Sequence, residues 1–140
     1  MSTRCAIGLL RPNGTVIAIY CHHDGYPDGV GRCLLKSYAT EDRIRNLLEL
    51  GAISSIGDNL SKEEGDDPCD PYCADENPEI SRIEVFPNKD WYQKEAPDHM
   101  NSEYLYLFEN GRWFVYPVFH NKPMWYWYDL AENIDRMEEE

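Results

Sequence analysis

Two short apolar runs open the chain, Arg4 to Leu10 and Thr15 to Tyr20, with Arg11-Pro12-Asn13-Gly14 between them. Asn-Gly between apolar runs predicts a hairpin, because both residues tolerate positive φ. The second run is nearly continuous in apolar character, which places it in the middle of a sheet. Beyond Tyr20 the period changes. Val30, Cys33, Leu34 and Tyr38 recur at helical spacing, with Gly29 and Gly31 near the start, and predict a short helix. Thr40 offers a cap for a second helix, Glu41 and Asp42 suit its positive end, Ile44, Leu47 and Leu48 form its apolar stripe, and Gly51 ends it. Ala52 to Gly57 reads as a turn or a packed extended piece.

Residues Asp58 to Pro78 are rich in Gly, Pro, Asp, Glu and Asn, and no regular structure is expected there. Ile80 to Phe86 predicts a third strand, whereas Pro87 to Ser102 has no clear period beyond a turn of helix around Trp91. Tyr104 to Phe108, the turn Glu109-Asn110-Gly111 and Arg112 to Tyr116 predict a second hairpin, apolar or aromatic on both faces. Trp125 to Tyr128 reads as a final strand. Asp129 with Glu132 resembles a capping pair for a C-terminal helix through Ile134 and Met137. The expected fold class is α+β: a small, mostly antiparallel sheet built from two hairpins plus extra strands, with two or three helices packed on one face and a partly exposed aromatic surface on the other. At 140 residues the chain fits one domain, 1–140, with an acidic irregular excursion at about 58–79 and an acidic helix or tail at about 129–140.

The formal net charge of −13 is concentrated in two places. Asp58 to Glu79 holds nine acids and one base, Asp129 to Glu140 holds six acids and one base, and the remainder is neutral. Such acidic segments keep a protein soluble and argue against direct nucleic-acid binding through a basic face; they could equally present carboxylates to a basic partner. The expected partner is a host protein or a protein–nucleic acid complex; a homodimer through aromatic strands is compatible with the pattern. No stretch approaches the roughly 20 apolar residues of a membrane span, and the N-terminal residues carry no secretory pattern. Five cysteines, an odd number, favour reduced thiols, and the expected setting is cytoplasmic.

Candidate chemistry centres on Tyr20 to Gly31, where a strand leaves the sheet and a helix begins. Its candidate ligand-binding residues are Tyr20, His22, Asp24, Gly25, Tyr26, Gly29, Gly31 and Arg32. The glycines would let backbone N–H groups approach an anion, with Arg4 or Arg32 adding charge, although the segment matches neither a phosphate-binding loop nor a dinucleotide fingerprint. A nucleotide-sequestering protein is one reading; the other is a structural corner. Cys21, His22, His23 and Asp24 invite a thiol or histidine enzyme. Strand neighbours point to opposite faces, so His22 and Asp24 make the better pair, but no second cluster completes a catalytic set, and no catalytic residue is assigned. Cys69 and Cys73, with Cys21, His22 or His23, have zinc-compatible chemistry, yet only one such cysteine pair exists; no metal or cofactor is assigned.

Tyr20-Cys21-His22-His23-Asp24-Gly25-Tyr26-Pro27, with Gly31, Leu34-Leu35, Tyr38, Leu50 to Gly57, Glu103 to Phe108 and Gly111-Arg112-Trp113, resembles a group of small proteins common in phages and prophages. The resemblance covers most of the first 57 residues and the second hairpin. It implies an accessory protein of a mobile element, a modulator of host machinery or defence of the anti-CRISPR or anti-restriction type, and supplies no catalytic residue.

Overall fold

A computed structural model of the chain describes residues 3–71, 83–118 and 127–138. The first two runs form the strands β1 (Cys5–Leu10) and β2 (Val16–Cys21), paired antiparallel from Cys5↔Cys21 to Leu10↔Val16. Their turn differs from the two-residue form that Asn-Gly suggests. Arg11 N–H donates to Thr15 O and Gly14 N–H to Arg11 O, and of Asn13 and Gly14 only the glycine has positive φ, +90°. This is a three-residue loop ending on a left-handed glycine. Asn13 Oδ1 accepts from both the backbone N–H and the hydroxyl of Thr15, which fixes that choice. In the second hairpin, β6 (Tyr104–Glu109) and β7 (Arg112–Pro117), Asn110 and Gly111 both have positive φ, as the two-residue turn requires.

The hairpins join through a parallel pair, β1 beside β6, from Cys5↔Tyr104 to Leu9↔Phe108. Around them lie β3 (Ile53–Ser55), β4 (Asp70–Pro71), β5 (Glu84–Phe86) and β8 (Tyr128–Asp129). The sheet runs β4-β3-β2-β1-β6-β7-β8, with β5 also paired to β2. Two pairings are parallel and the rest antiparallel, so the fold is α+β with a mostly antiparallel sheet, and β2 is interior as its composition requires.

Alternation sorts the strands into two cores. Cys5, Ile7, Leu9, Ile19, Cys21, Tyr106, Trp113 and Val115 face α1 (Arg32–Ser37), α2 (Glu41–Glu49) and α4 (Leu130–Glu138), which contribute Leu34, Ile44, Leu47, Leu48, Leu130 and Ile134. Thr40 caps α2, accepting from Arg43 N–H, and Asp129 caps α4, accepting from Glu132 N–H. The opposite face, Ala6, Val16, Ala18, Tyr20, Leu105 and Leu107, is not left as an exposed aromatic surface. It is covered by α3 (Lys89–His99) through Tyr92 and Ala96, with Met100 just beyond the helix. Tyr92 lies over Gly8, where a Cβ would sit 3.1 Å from its ring, and donates its hydroxyl to Tyr106 O at 2.9 Å. A glycine in the middle of β1 is thus the footprint of a helix packed on the sheet.

The segment expected to be irregular is folded as far as it is described. Asn59 and Pro68 form a bridge, and β4 pairs with β3. Residues 72–79 of that segment, 80–82 of the expected third strand, and Trp125 and Tyr126 of the final strand lie outside the described residues. Among the described residues no helix is long and apolar enough to cross a membrane.

Candidate functional site

Two parts of the molecule gather polar and titratable side chains: the Tyr20–Gly31 corner and the acid-rich loop after β3. The corner is built largely from backbone. His22 and His23 N–H donate to Ile53 O and Ser54 O, which tie the end of β2 to β3. Asp24 turns the chain with φ +57° and its carbonyl accepts from Val30 N–H, while Gly25 N–H donates to Thr3 O at 2.8 Å. Pro27–Gly31 then forms a single wide helical turn that runs into α1, so the expected helix begins as a π-turn. Buried Tyr106 reaches across from β6 and donates to Gly25 O at 2.7 Å.

The candidate residues come together along the chain but face different partners. Tyr20 is buried, and its hydroxyl lies 2.8 Å from Nδ1 of His22. Asp24 accepts from the Tyr26 hydroxyl at 3.2 Å, so the carboxylate expected to orient His22 is directed at the tyrosine. Burial, then the neighbouring His23 and Arg4 charges, hold the His22 imidazole below its usual pKa, and the Asp24 carboxylate raises that of Tyr26. Arg32 pairs with Asp28 at 2.7 Å, one helical turn away. Cys21 is fully buried and its thiol lies 3.5 Å from His23 O.

The glycines are occupied by the protein itself. A Cβ on Gly25 would meet Thr3 O at 2.8 Å and Arg4 C and Cys5 Cβ at 2.9 Å; one on Gly29 would strike Asp24 O; one on Gly31 would touch Leu130. Space that an anion would need at Gly25 and Gly29 is filled by backbone.

The loop after β3 has a polar anchor that its composition does not announce. Asp58 accepts from Ser37 at 2.7 Å and Lys36 at 3.0 Å, with the Cys33 thiol at 3.6 Å, while its carbonyl accepts from Arg43. These donors hold the Asp58 carboxyl below the usual range, Ser37 and Lys36 contributing most. Beneath it, the Tyr38 hydroxyl donates to Gly57 O at 2.6 Å and lies 3.5 Å from Cys69 Sγ, which also accepts from Gly57 N–H at 3.3 Å. Further out, Glu64 pairs with Arg43 at 2.7 Å and accepts from Leu60 N–H, Asp67 accepts from Asp58 N–H, and Asp70 accepts from Ser55. Glu63 and Asp66 are exposed between these tethers.

Cys69 is therefore buried under the loop, and Cys73 lies outside the described residues. Burial raises the Cys69 and Cys33 thiol pKa values, that of Cys33 well above the usual range. Among the described residues no three His, Cys, Asp or Glu side chains gather in a way that would hold a metal ion. Sequence reasoning missed Asp58, Ser37, Lys36 and Arg43 because they lie in three separate segments. The one local signal is an aspartate directly after Gly57, followed by Asn59.

Comparison with protein-family models, curated proteins and solved structures gives no match.

Proposed function

We propose that the protein is a non-catalytic binding protein that acts through protein–protein contacts on a basic partner surface. The observation that carries this reading is the ordered acidic loop. Four polar tethers, from Ser37, Lys36, Arg43 and Ser55, pin residues 58–70 to the body, so that Glu63 and Asp66 project from a fixed frame. Preorganised carboxylates lose little entropy on meeting a cationic surface, and complementary charge raises the association rate. The likeness to phage and prophage accessory proteins extends the proposal: the partner belongs to a host-defence system, and the protein inhibits it in the anti-CRISPR or anti-restriction manner.

The test uses substitutions in place of deletion, since removing the loop would also remove Asp58 and Cys69 from the packed body. Phage plating is measured on hosts carrying defined CRISPR or restriction systems and expressing either the wild type or the Glu63→Gln/Asp66→Asn variant. The expected result is restored plating with the wild type on one such host, reduced with the variant. No restoration across the hosts refutes the defence reading, and equal restoration by the variant refutes the electrostatic one.

A further inference from the structure

Because β1 and β6 are parallel neighbours, both hairpins turn at the same end of the sheet. Between the two turns lies a cleft of about 490 Å³, with Pro12 and the edge of Phe108 as its apolar wall and with Arg11, Gly14, Asn110 and Gly111 around it. That volume falls within the ordinary range of small-molecule sites, roughly 300–1,000 Å³. In contrast to Gly25 and Gly29, Gly14 and Gly111 face open space: a Cβ at either would meet nothing within 4 Å.

The charged group at this cleft is oriented. Arg11 is half-buried, and its Nε donates to Thr15 Oγ1 at 3.0 Å. That hydroxyl in turn donates to Asn13 Oδ1 at 2.7 Å, so a relay fixes the guanidinium plane while engaging only one of its nitrogens. Arg4, Arg32, Lys36, Arg43, Arg45, Lys89 and Arg112 each pair with a carboxylate; among the described residues Arg11, Lys62 and Lys94 do not, and of these three Arg11 is the one held by a hydrogen bond to another side chain. In a chain with 26 acids and 13 bases, an arginine held in place without an acidic partner is set for an external anion. The acid that also lines the cleft, Glu41, is drawn toward Arg45 at 3.6 Å.

We infer that this cleft is a binding site for a small carboxylate with an apolar body: the carboxylate on the free edge of Arg11, the apolar part against Pro12 and the edge of Phe108. Glu41 and the overall negative charge disfavour dianions, which selects a carboxylate over phosphate.

The probe is indole-3-acetate, titrated into the full-length ¹⁵N-labelled protein and followed by amide shifts, with indole-3-acetamide and inorganic phosphate as parallel arms. Saturable shifts are expected at residues 9–14 and 110–111, with the acetamide and phosphate each binding about tenfold more weakly, the worth of one charge-assisted contact. Arg11→Gln abolishes the preference for the acid over the amide, and Thr15→Ala, which keeps the charge but removes the relay, reduces it; unchanged melting temperatures confirm that both variants fold. Absence of saturable shifts, shifts centred elsewhere, phosphate binding as well as the carboxylate, or an undiminished acid preference in Arg11→Gln overturns the assignment.

Discussion

Replacing Gly25 with alanine separates the two uses to which a glycine in the Tyr20–Gly31 corner can be put. Backbone strain does not enter, because the positive-φ glycines are Gly14, Gly51 and Gly111, and Gly25 is not among them. Sterics alone decide. The added Cβ would lie 2.8 Å from Thr3 O, 2.9 Å from Arg4 C and 2.9 Å from Cys5 Cβ, none of which is the end of a flexible side chain. Overpacking of this kind costs about 1–3 kcal/mol. Relief requires the corner to move away from β1, which lengthens the Gly25 N–H to Thr3 O bond of 2.8 Å and the Tyr106 Oη–H to Gly25 O bond of 2.7 Å. Each such bond contributes about 1 kcal/mol net. The expected loss is about 2–4 kcal/mol, a large part of the roughly 5–15 kcal/mol available to a domain. Urea unfolding followed by tryptophan fluorescence measures it as a lower midpoint at unchanged slope. If Gly25 instead serves close approach of a ligand, alanine leaves the midpoint where it was, and a shift under about 0.5 kcal/mol would falsify the packing account.

Other predictions rest on the loop anchor and the corner. Tyr38→Phe leaves the buried Gly57 carbonyl with only the weak Cys69 thiol donor at 3.6 Å and should cost about 1–2 kcal/mol, with faster amide exchange confined first to residues 57–70; a uniform change in exchange would contradict the anchor. The folded Asp58 carboxyl titrates below its ordinary value of 3.8, so its contribution is fully present above that value and is lost as pH falls through the lower folded value. The stability gap between wild type and Asp58→Asn should accordingly be constant near neutrality and close in acid, as urea titrations at several pH values would show. The His22 imidazole should titrate below 6.5 by NMR, and Arg4→Gln should raise its midpoint by removing a nearby positive charge. Cys33, whose thiol is held protonated by burial and by Asp58, should alkylate slowly with iodoacetamide at pH 8 and rapidly in urea, mapped by mass spectrometry.

Where a residue pattern is set by local chemistry, the sequence is a good guide to this fold. The Thr40 cap, the Ile44/Leu47/Leu48 stripe and the Asp129 cap all stand as their spacing requires. Elements defined by a distant partner are less legible. α3 buries Tyr92 and Ala96, a stripe too narrow to set a period, and its Trp91, the residue that draws the eye, is 47% exposed. The compensating clue is on another element: the strands are apolar on both faces, and β1 carries a glycine where Tyr92 lies. The acidic loop is harder still. Its composition is that of a disordered tract, and it is ordered by Ser37, Lys36 and Arg43, none of which stands out in its own segment. Composition measures what a segment can bury, not which polar groups await it elsewhere.

The same distinction bears on the glycines, which point in two directions in the sequence. A residue without a Cβ is required equally where a ligand approaches the backbone and where another part of the backbone does. What fills the space decides between them. At Gly25 and Gly29 it is Thr3, Arg4, Cys5 and Asp24, which makes Tyr20–Gly31 a joint between β2 and the helices. Gly14 and Gly111 answer to neither, since their turns require the positive φ of +90° and +80°, and the open space beside them is bordered by the oriented guanidinium of Arg11. The Tyr-Cys-His-His-Asp-Gly motif holds the sheet to its helical layer, while the two Asn-Gly turns, unremarkable as hairpin signals, frame the cleft where small-molecule chemistry has room.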